Sequence, residues 1–250
     1  MNSQTLESKP KPLIPIVNRV RGKYQSESLL QRQSRILAVA RDIIATSGYE
    51  GLTMRTLAEQ AGVSKKTLYN QYSGKDDLVL AATTEVLENI ATQVASVEPG
   101  ISRIVAREQA IYTQVMSTPE YALAMTQALL AANPQNSLIE VLINESIVRT
   151  QVELRHARKK KELNDNLDEL ILARSLVSQS WGVLMLWSKQ CIPLTQIKSG
   201  LMCAQLNMLV GVSKGLKHTW LKDTLSVYQR EAAIKPNNQT DKMSIRETRN

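Results

Sequence analysis

Hydrophobic and polar positions recur with a helical period along most of the chain. From Leu29 onward, apolar residues return at intervals of three and four positions, and the first such series ends at Ser47-Gly48. The series comprises Ile36, Leu37, Val39, Ala40, Ile43 and Ile44. Because glycine readily adopts the left-handed conformation that closes a helix, the pattern predicts an amphipathic first helix that ends near Gly48.

Two short helices are predicted next, with a tight turn between them. Thr53 and Ser64 each precede a short helical segment, and each hydroxyl can cap the first turn of its helix. Gly62 lies between the two segments and can supply the positive φ angle that the turn requires. Two short helices joined by such a turn form a helix-turn-helix, which we expect over about residues 53–72.

The remaining chain also has a helical pattern. A fourth helix is expected to start at Ser73, where Ser73 and Asp76 have the spacing of a capping box. Helices should continue to about Leu221, with breaks at Thr118-Pro119, Asn133-Pro134, Leu163 to Asn166 and Ile192-Pro193. Residues 1–25 are expected to form a flexible basic arm, and residues 222–250 a mostly disordered polar tail. The predicted fold class is all-α.

The cysteines, the first residues and the apolar runs of the chain indicate in which compartment the protein works. The two cysteines, Cys191 and Cys203, lie in apolar helical segments and give no disulfide framework, so a reducing compartment fits. Residues 1–11 are polar and do not resemble a signal peptide. The most apolar run, residues 181–187, is far too short to span a bilayer. We therefore expect a cytoplasmic protein that does not enter the membrane.

Positive charge is concentrated in the first third of the chain. Residues 1–75 hold 12 Lys and Arg against 5 Asp and Glu, a net charge of +7. The remaining residues hold 19 against 18, a net charge of +1. A basic front joined to a nearly neutral body predicts that one end of the protein contacts a polyanion, although a solvated basic terminus is the alternative.

The predicted third helix has an apolar face and a polar face. Leu68 and Tyr72 share the side that points into the core. The opposite side carries Lys66, Thr67 and Asn70, flanked by Tyr69 and Gln71, with Lys65 at the amino end. These cations suit phosphates, and the amides and hydroxyls suit the edges of bases. Lys75 is expected in the first turn of the next helix, where its positive charge lies against the positive end of the helix dipole. A DNA phosphate bound there would compensate this repulsion.

These residues match a known family. The segment Thr46–Leu78, TSGYEGLTMRTLAEQAGVSKKTLYNQYSGKDDL, closely resembles the DNA-binding domain of TetR-type transcriptional regulators. The matching features are Gly48-Tyr49, Thr53, Leu57-Ala58, Ala61-Gly62-Val63-Ser64, Leu68-Tyr69, Lys75 and Leu78. The resemblance covers about residues 29–90, and Tyr72 stands where the family most often has Phe.

The resemblance implies a three-helix DNA-binding domain over residues 26–90, joined by the fourth helix to a larger helical body over residues 91–221. The body would bind a small-molecule effector and form a homodimer, and the target would be an inverted-repeat operator in double-stranded DNA. We expect this protein to be a repressor that leaves the operator when the effector binds. The implied DNA contacts are Thr53, Arg55, Ser64, Lys65, Lys66, Thr67, Tyr69, Asn70 and Lys75.

The body offers candidates for both the interface and the effector site. Residues 167–188 and 194–212 are apolar over much of the helix circumference, which favours a dimer interface for part of that surface. Candidate ligand-cavity residues are adaptable or flat apolar side chains: Met116, Tyr121, Met125, Trp181 and Met185. Simple core packing is the alternative for each of them.

Two basic segments outside the helix-turn-helix have competing interpretations. Arg19, Arg21 and Lys23 can enter the minor groove beside the recognition helix, or they can belong to a solvated leader. The run Arg155–Lys161 resembles a second nucleic-acid site, but neighbouring acidic residues favour a solvated helix end.

Other classes of protein remain as alternatives. The chain lacks the common catalytic motifs, and neither His156 nor His218 has a Cys or carboxylate at metal-ligand spacing. We therefore expect no catalytic residue, no metal and no cofactor. An activator, or a DNA-binding adaptor of the same fold controlled by a protein partner, stays open.

Overall fold

The computed structural model describes residues 27–132 and 136–233, and within these ranges the chain is helical and forms no β-strand. The all-α prediction is confirmed. The α-helices are α1 (Glu27–Gly51), α2 (Met54–Ala61), α3 (Lys65–Gln71), α4 (Lys75–Gln93), α5 (Ile101–Ser117), α6 (Pro119–Ala131), α7 (Ser137–Ile139), α8 (Glu145–Lys159), α9 (Glu169–Ser188), α10 (Ile197–Val212) and α11 (Gly215–Ala233). A π-helical segment, Glu140–Asn144, joins α7 to α8, and a 3-10 turn, Leu194–Gln196, precedes α10.

The helix-turn-helix forms as the capping residues predict. Thr53 caps α2 by accepting a hydrogen bond from the backbone N–H of Thr56, at 3.1 Å. Gly62 closes α2 in the left-handed conformation, with φ 63° and ψ 39°. Ser64 caps α3 by accepting from the N–H of Thr67, at 3.0 Å. Gly48 interrupts the helical geometry of α1 with φ 71°, close to the predicted end of that helix.

The start of α4 differs from the prediction. The helix begins at Lys75 with Gly74 as its cap, and Ser73 and Asp76 do not form a capping box. Asp77 instead accepts hydrogen bonds from the backbone N–H and the hydroxyl of Ser73, at 2.9 and 3.3 Å. The physical reason is that the Tyr49 hydroxyl donates to Asp76, which holds this carboxylate against α1.

The DNA-binding helices and the body share a buried core. The cluster that contains Ile36, Leu57 and Leu68 continues into α6 through Tyr121 and Met125. Helix α6 therefore packs directly against α1, in addition to the connection through α4. The implied picture of a small domain joined to the body by the fourth helix is incomplete, because motion in α6 can reach α1 through side-chain contacts as well as through the chain.

The carboxyl-terminal helix is longer than predicted. Helix α11 runs to Ala233, because Leu221 and Leu225 turn inward and are buried against the body. The expectation of a disordered tail from residue 222 is thus wrong for residues 222–233. Residues 1–25 and 234–250 lie outside the described residues, as does the expected break at Asn133-Pro134. The breaks at Pro119, near residues 163–166 and at Pro193 are found.

Helix α9 is long and apolar enough, with a mean hydropathy of 1.3, to meet the length and composition criteria of a membrane span. One third of that window is buried inside the protein. Leu172, Ala173 and Leu176 belong to the core that α9 shares with α8 and α10. Burial in a helical core accounts for the apolar character of this side of α9.

The hydroxyl of Tyr72 is buried without a hydrogen-bond partner among the described residues. Burial raises the pKa of Tyr72 to about 12, and Gln33 lies nearby without making a hydrogen bond of normal geometry. We expect Tyr72→Phe to raise the free energy of unfolding by about 1 kcal/mol, because it removes an unpaired polar group and keeps the ring. Urea unfolding of the two proteins measures the difference, and a loss of stability would show that the hydroxyl has a partner.

Candidate nucleic-acid interface

Helix α3 presents a polar face to solvent because its apolar face is buried in the core that it shares with α1 and α2. Leu68 and Tyr72 are buried, as predicted. On the other side Lys65, Lys66 and Asn70 are exposed, and Tyr69 is 57% exposed. Thr67 is half-buried, since its N–H and hydroxyl both contact Ser64. The exposed face combines cations with hydrogen-bonding groups on a rigid helix, which is the chemistry that a duplex groove requires.

The start of α2 extends this surface. Thr53 is exposed and shares its hydroxyl with Thr56 in a reciprocal cap, where the two hydroxyl oxygens lie 3.0 Å apart. Arg55 is also exposed, and its Nε donates to Glu59 at 3.0 Å. Such an exposed pair within one helix is weak, so Arg55 can exchange Glu59 for a phosphate at little cost.

Lys75 has compensation inside the chain that the sequence did not reveal. Its Nζ lies 3.3 Å from Glu50 Oε2 and 4.2 Å from the centre of the Tyr49 ring. Burial and the hydrogen bond to Asp76 raise the pKa of Tyr49, so the ring stays neutral. The Lys75 side chain is 25% exposed, whereas that of Glu50 is 93% exposed. Glu50 is thus a loosely held partner that an approaching phosphate would have to displace or share.

The two other basic segments have different outcomes. Arg19, Arg21 and Lys23 lie outside the described residues. In the run Arg155–Lys161, Arg158 donates to Glu169 and to the Leu167 carbonyl, and Lys160 donates to Glu98 at 2.5 Å. These bonds tie the end of α8 to the neighbouring loops, so the two cations have structural partners.

A cavity of about 520 Å³ lies in the body between α4, α5, α6, α8 and α9. Tyr121, Met125 and Trp181 line it, as predicted. Met116 and Met185 do not line it and are 39% and 41% exposed. Their neighbours Val115 and Leu184 take the inward positions, and a step of one residue turns a helical side chain by about 100°. The assignment of Met116 and Met185 to a cavity is therefore wrong.

The polar side chains of the cavity were not predicted from the sequence. Arg107, Glu108, Ser180 and Gln205 all line it, together with Thr83 on α4. The position of Glu108 in the sequence did indicate that its carboxylate faces inward. Glu108 lies four residues after Ile104 and three before Ile111. A carboxylate at that spacing occupies the apolar face of an amphipathic helix.

Glycines occupy open positions on the outer sides of α9 and α10. Ile171 is 61% exposed, and Gly182 and Gly211 have no neighbouring atom within 4 Å of the position that a Cβ would take. Small residues on a helix face allow a second helix to approach closely. This surface coincides with the predicted interface segments, residues 167–188 and 194–212.

Comparison with known proteins gives similarities that are strongest in the helix-turn-helix. Residues 36–82 match the model for bacterial regulatory proteins, tetR family. Over 73 residues the chain is 34% identical to the HTH-type transcriptional repressor AcnR of Corynebacterium jeikeium. That match covers 29% of this chain and 39% of the relative, so the similarity spans about two fifths of AcnR.

Two longer matches extend into the body. Over 158 residues the chain is 23% identical to the HTH-type transcriptional regulator UidR of Escherichia coli, which covers 61% of this chain and 79% of UidR. The crystal structure of tylp, a tetR regulator from Streptomyces fradiae, superposes with a TM-score of 0.62 at 22% identity. It covers 83% of this chain and 100% of that one, and it shows that the two proteins share a fold.

Proposed function

We propose that this chain, which carries the amino-terminal DNA-binding domain of the tetR family of bacterial regulatory proteins, is a sequence-specific transcriptional regulator. The observation that carries the proposal is the exposed polar face of α3, held rigidly by buried Leu68 and by the Ser64 cap. Asn70 and Tyr69 are proposed to contact bases, and Lys65, Lys66 and Lys75 to contact phosphates. Thr53, Arg55, Ser64 and Thr67 would position the unit on the backbone.

The body is proposed to control DNA binding through its cavity. Thr83 of α4 and Tyr121 of α6 both line the cavity, and their hydroxyl oxygens lie 3.4 Å apart. Helix α4 begins at Lys75 in the proposed interface, and α6 packs on α1. A small molecule that separates these side chains would therefore shift the helices that carry the DNA contacts. The cavity favours a small-molecule effector over control by a protein partner.

Repression is the proposed sign of regulation, because the relative AcnR is named a repressor. The protein would act in the cytoplasm as a homodimer and without a catalytic step. The proposed interface is the outer face of α9 and α10, which includes Gly182 and Gly211. A two-fold dimer places two α3 helices on one face of the duplex, so the operator should be an inverted repeat.

DNA binding should depend on Lys75 in a way that salt reveals. We expect Lys75→Ala to weaken binding to all duplexes and to lower the slope of log affinity against log salt by about one. Glu50→Gln is the matched variant, because it removes the carboxylate that competes for Lys75. It should strengthen binding to all duplexes at low salt. Fluorescence anisotropy with labelled duplexes measures both, and an unchanged slope in Lys75→Ala would exclude a phosphate contact.

A further inference from the structure

Two buried oxygen atoms in the cavity have no hydrogen-bond partner among the described residues: Glu108 Oε1 and Gln205 Oε1. Glu108 is 5% exposed and Gln205 is 3% exposed, and both side chains line the cavity. An unpaired buried acceptor destabilises the fold, so a protein retains two of them only with some compensating gain. A ligand that donates hydrogen bonds would provide it.

The two acceptors lie beside the same serine. Gln205 Nε2 donates to Ser180 Oγ at 2.9 Å and to the Leu176 carbonyl at 2.8 Å, which directs its Oε1 away from both. Ser180 also lies close enough to Glu108 to lower the pKa of that carboxyl through hydrogen bonding. Glu108 on α5 and Gln205 on α10 therefore both lie near Ser180 in the cavity lining, and we expect one head group to reach both acceptors.

The charged groups of the cavity are balanced. Its lining contains three arginines and three glutamates, namely Arg103, Arg107, Arg149, Glu108, Glu145 and Glu153. Arg103 pairs with Glu153 at 3.4 Å, and Arg149 pairs with Glu145. Arg107 donates to Thr150 Oγ1 at 2.6 Å. With Glu108 ionised, the three arginines and three glutamates cancel, so the lining carries no net charge that would select a ligand ion of either sign.

The protonation state of Glu108 also favours a neutral ligand. Burial raises the pKa of Glu108 to about 7, while Ser180 and Arg107 oppose the rise. Near neutral pH the carboxyl is therefore partly protonated, and both of its states retain an oxygen that accepts a hydrogen bond. A neutral donor is compatible with both states, whereas a charged ligand is compatible with only one.

The remaining wall is mostly apolar. It includes Val86, Ile90, Ile111, Leu142 and Leu176 in addition to Met125 and Trp181. A volume of about 520 Å³ is within the usual range for drug-sized ligands. The site thus offers a largely apolar chamber whose polar groups include the two unpaired acceptors of Glu108 and Gln205.

We infer that the cavity binds an uncharged, predominantly apolar molecule whose head group, a hydroxyl or an amide N–H, donates hydrogen bonds to Glu108 and Gln205. This inference rests on the proposed function only in that the molecule would be its effector. The class excludes fatty acids and other carboxylates, and it excludes protonated amines.

Two series of probes test this inference with the full chain at pH 7. The first comprises 1-decanol, decyl methyl ether, decanoate and decylammonium. The second comprises 4-butylphenol, 4-butylanisole, 4-butylbenzoate and 4-butylbenzylammonium. Tryptophan fluorescence follows binding, because Trp181 lines the cavity. In at least one series, we expect the neutral donor to bind about five-fold or more tightly than its methyl ether, as one hydrogen bond implies, and more tightly than both ions.

Variants identify the groups responsible. Glu108→Leu combined with Gln205→Met should abolish the preference for the donor over its ether and leave ether binding within about two-fold. Glu108→Gln keeps an acceptor of the same shape and should retain the preference. Thermal melts monitor folding, and Gln205→Met alone, which should reduce the preference, serves if the double variant does not fold. Equal binding of donor and ether, tightest binding of either ion, or no binding in both series would overturn the inference.

These experiments distinguish a wrong ligand class from a wrong proposal that an effector controls DNA binding. Selective binding of the neutral donor without any release of DNA would contradict effector control and support the ligand class. Release of DNA by decanoate or decylammonium, with the neutral donors inactive, would contradict the ligand class and support effector control.

Discussion

Gly182→Arg is expected to convert the protein to a monomer and to lower its affinity for an inverted-repeat operator by about 100-fold or more. A dimer holds its second recognition helix at a high effective concentration once the first is bound, and this advantage reaches 10²–10⁴-fold in linked systems. Loss of the dimer removes it. Gly182 lies on α9 within the proposed interface, three residues before exposed Met185 and eleven after exposed Ile171.

The fold of the single chain should tolerate this change. A Cβ at position 182 meets no atom within 4 Å, and the backbone there has no positive φ angle. Replacing glycine inside a helix also improves helix propensity by up to about 1 kcal/mol. In the dimer, by contrast, an arginine would place a charge where two apolar helices meet closely. The variant should therefore prevent dimer formation without unfolding the single chain.

Light scattering and operator binding measure the two effects, with Gln109→Arg as the control. Gln109 is exposed on α5, outside the proposed interface segments, so this variant adds the same charge to another helix. It should remain dimeric and bind normally. A Gly182→Arg protein that stays dimeric at micromolar concentration would place the interface elsewhere.

Asn70→Ala should weaken binding to the cognate operator by about 1–3 kcal/mol and leave binding to random duplex nearly unchanged. An amide in the major groove can make two hydrogen bonds to adenine, and neither is available from the sugar-phosphate backbone. Asn70 is exposed on the side of α3 opposite Leu68, so its loss does not disturb the core. The loss of Asn70 should therefore reduce the ratio of the affinity for the cognate operator to the affinity for random duplex.

Gln60→Ala is the matched control for Asn70. It removes an exposed amide near the end of α2, outside the proposed contact residues, and should change neither affinity. Competition titrations with cognate and random duplexes give both values for each variant. A loss for Asn70→Ala that is equal on the two duplexes would assign this residue to the backbone and leave base reading to another side chain.

Local signals made the helix-turn-helix predictable from sequence. Thr53, Gly62 and Ser64 each act within three or four residues of their own position, so the pattern alone fixes their roles. Lys75 shows the limit of such signals. Its partner Glu50 is 25 residues away in sequence and approaches only after α1 and α4 pack. The sequence indicated that the cation needed compensation, but not that the chain supplies part of it.

The body was harder to predict because its site depends on helix rotation. Tyr121 and Met125 were placed correctly, whereas Met116 and Met185 differ from inward-facing residues by a single position. In helices that are apolar on several sides, residue type does not reveal which side faces a cavity. Glu108 was the stronger indicator, since a carboxylate inside an apolar stripe requires a reason.

The most direct test of the central claim is selection of DNA by the full-length protein from a random duplex library, followed by affinity measurement at physiological salt. We predict that the selected sequences share an inverted repeat. A dimer should bind this repeat about 10³-fold or more tightly than the unselected duplex. Selection that enriches no sequence, or binding whose affinity is the same for selected and random duplexes, would contradict it.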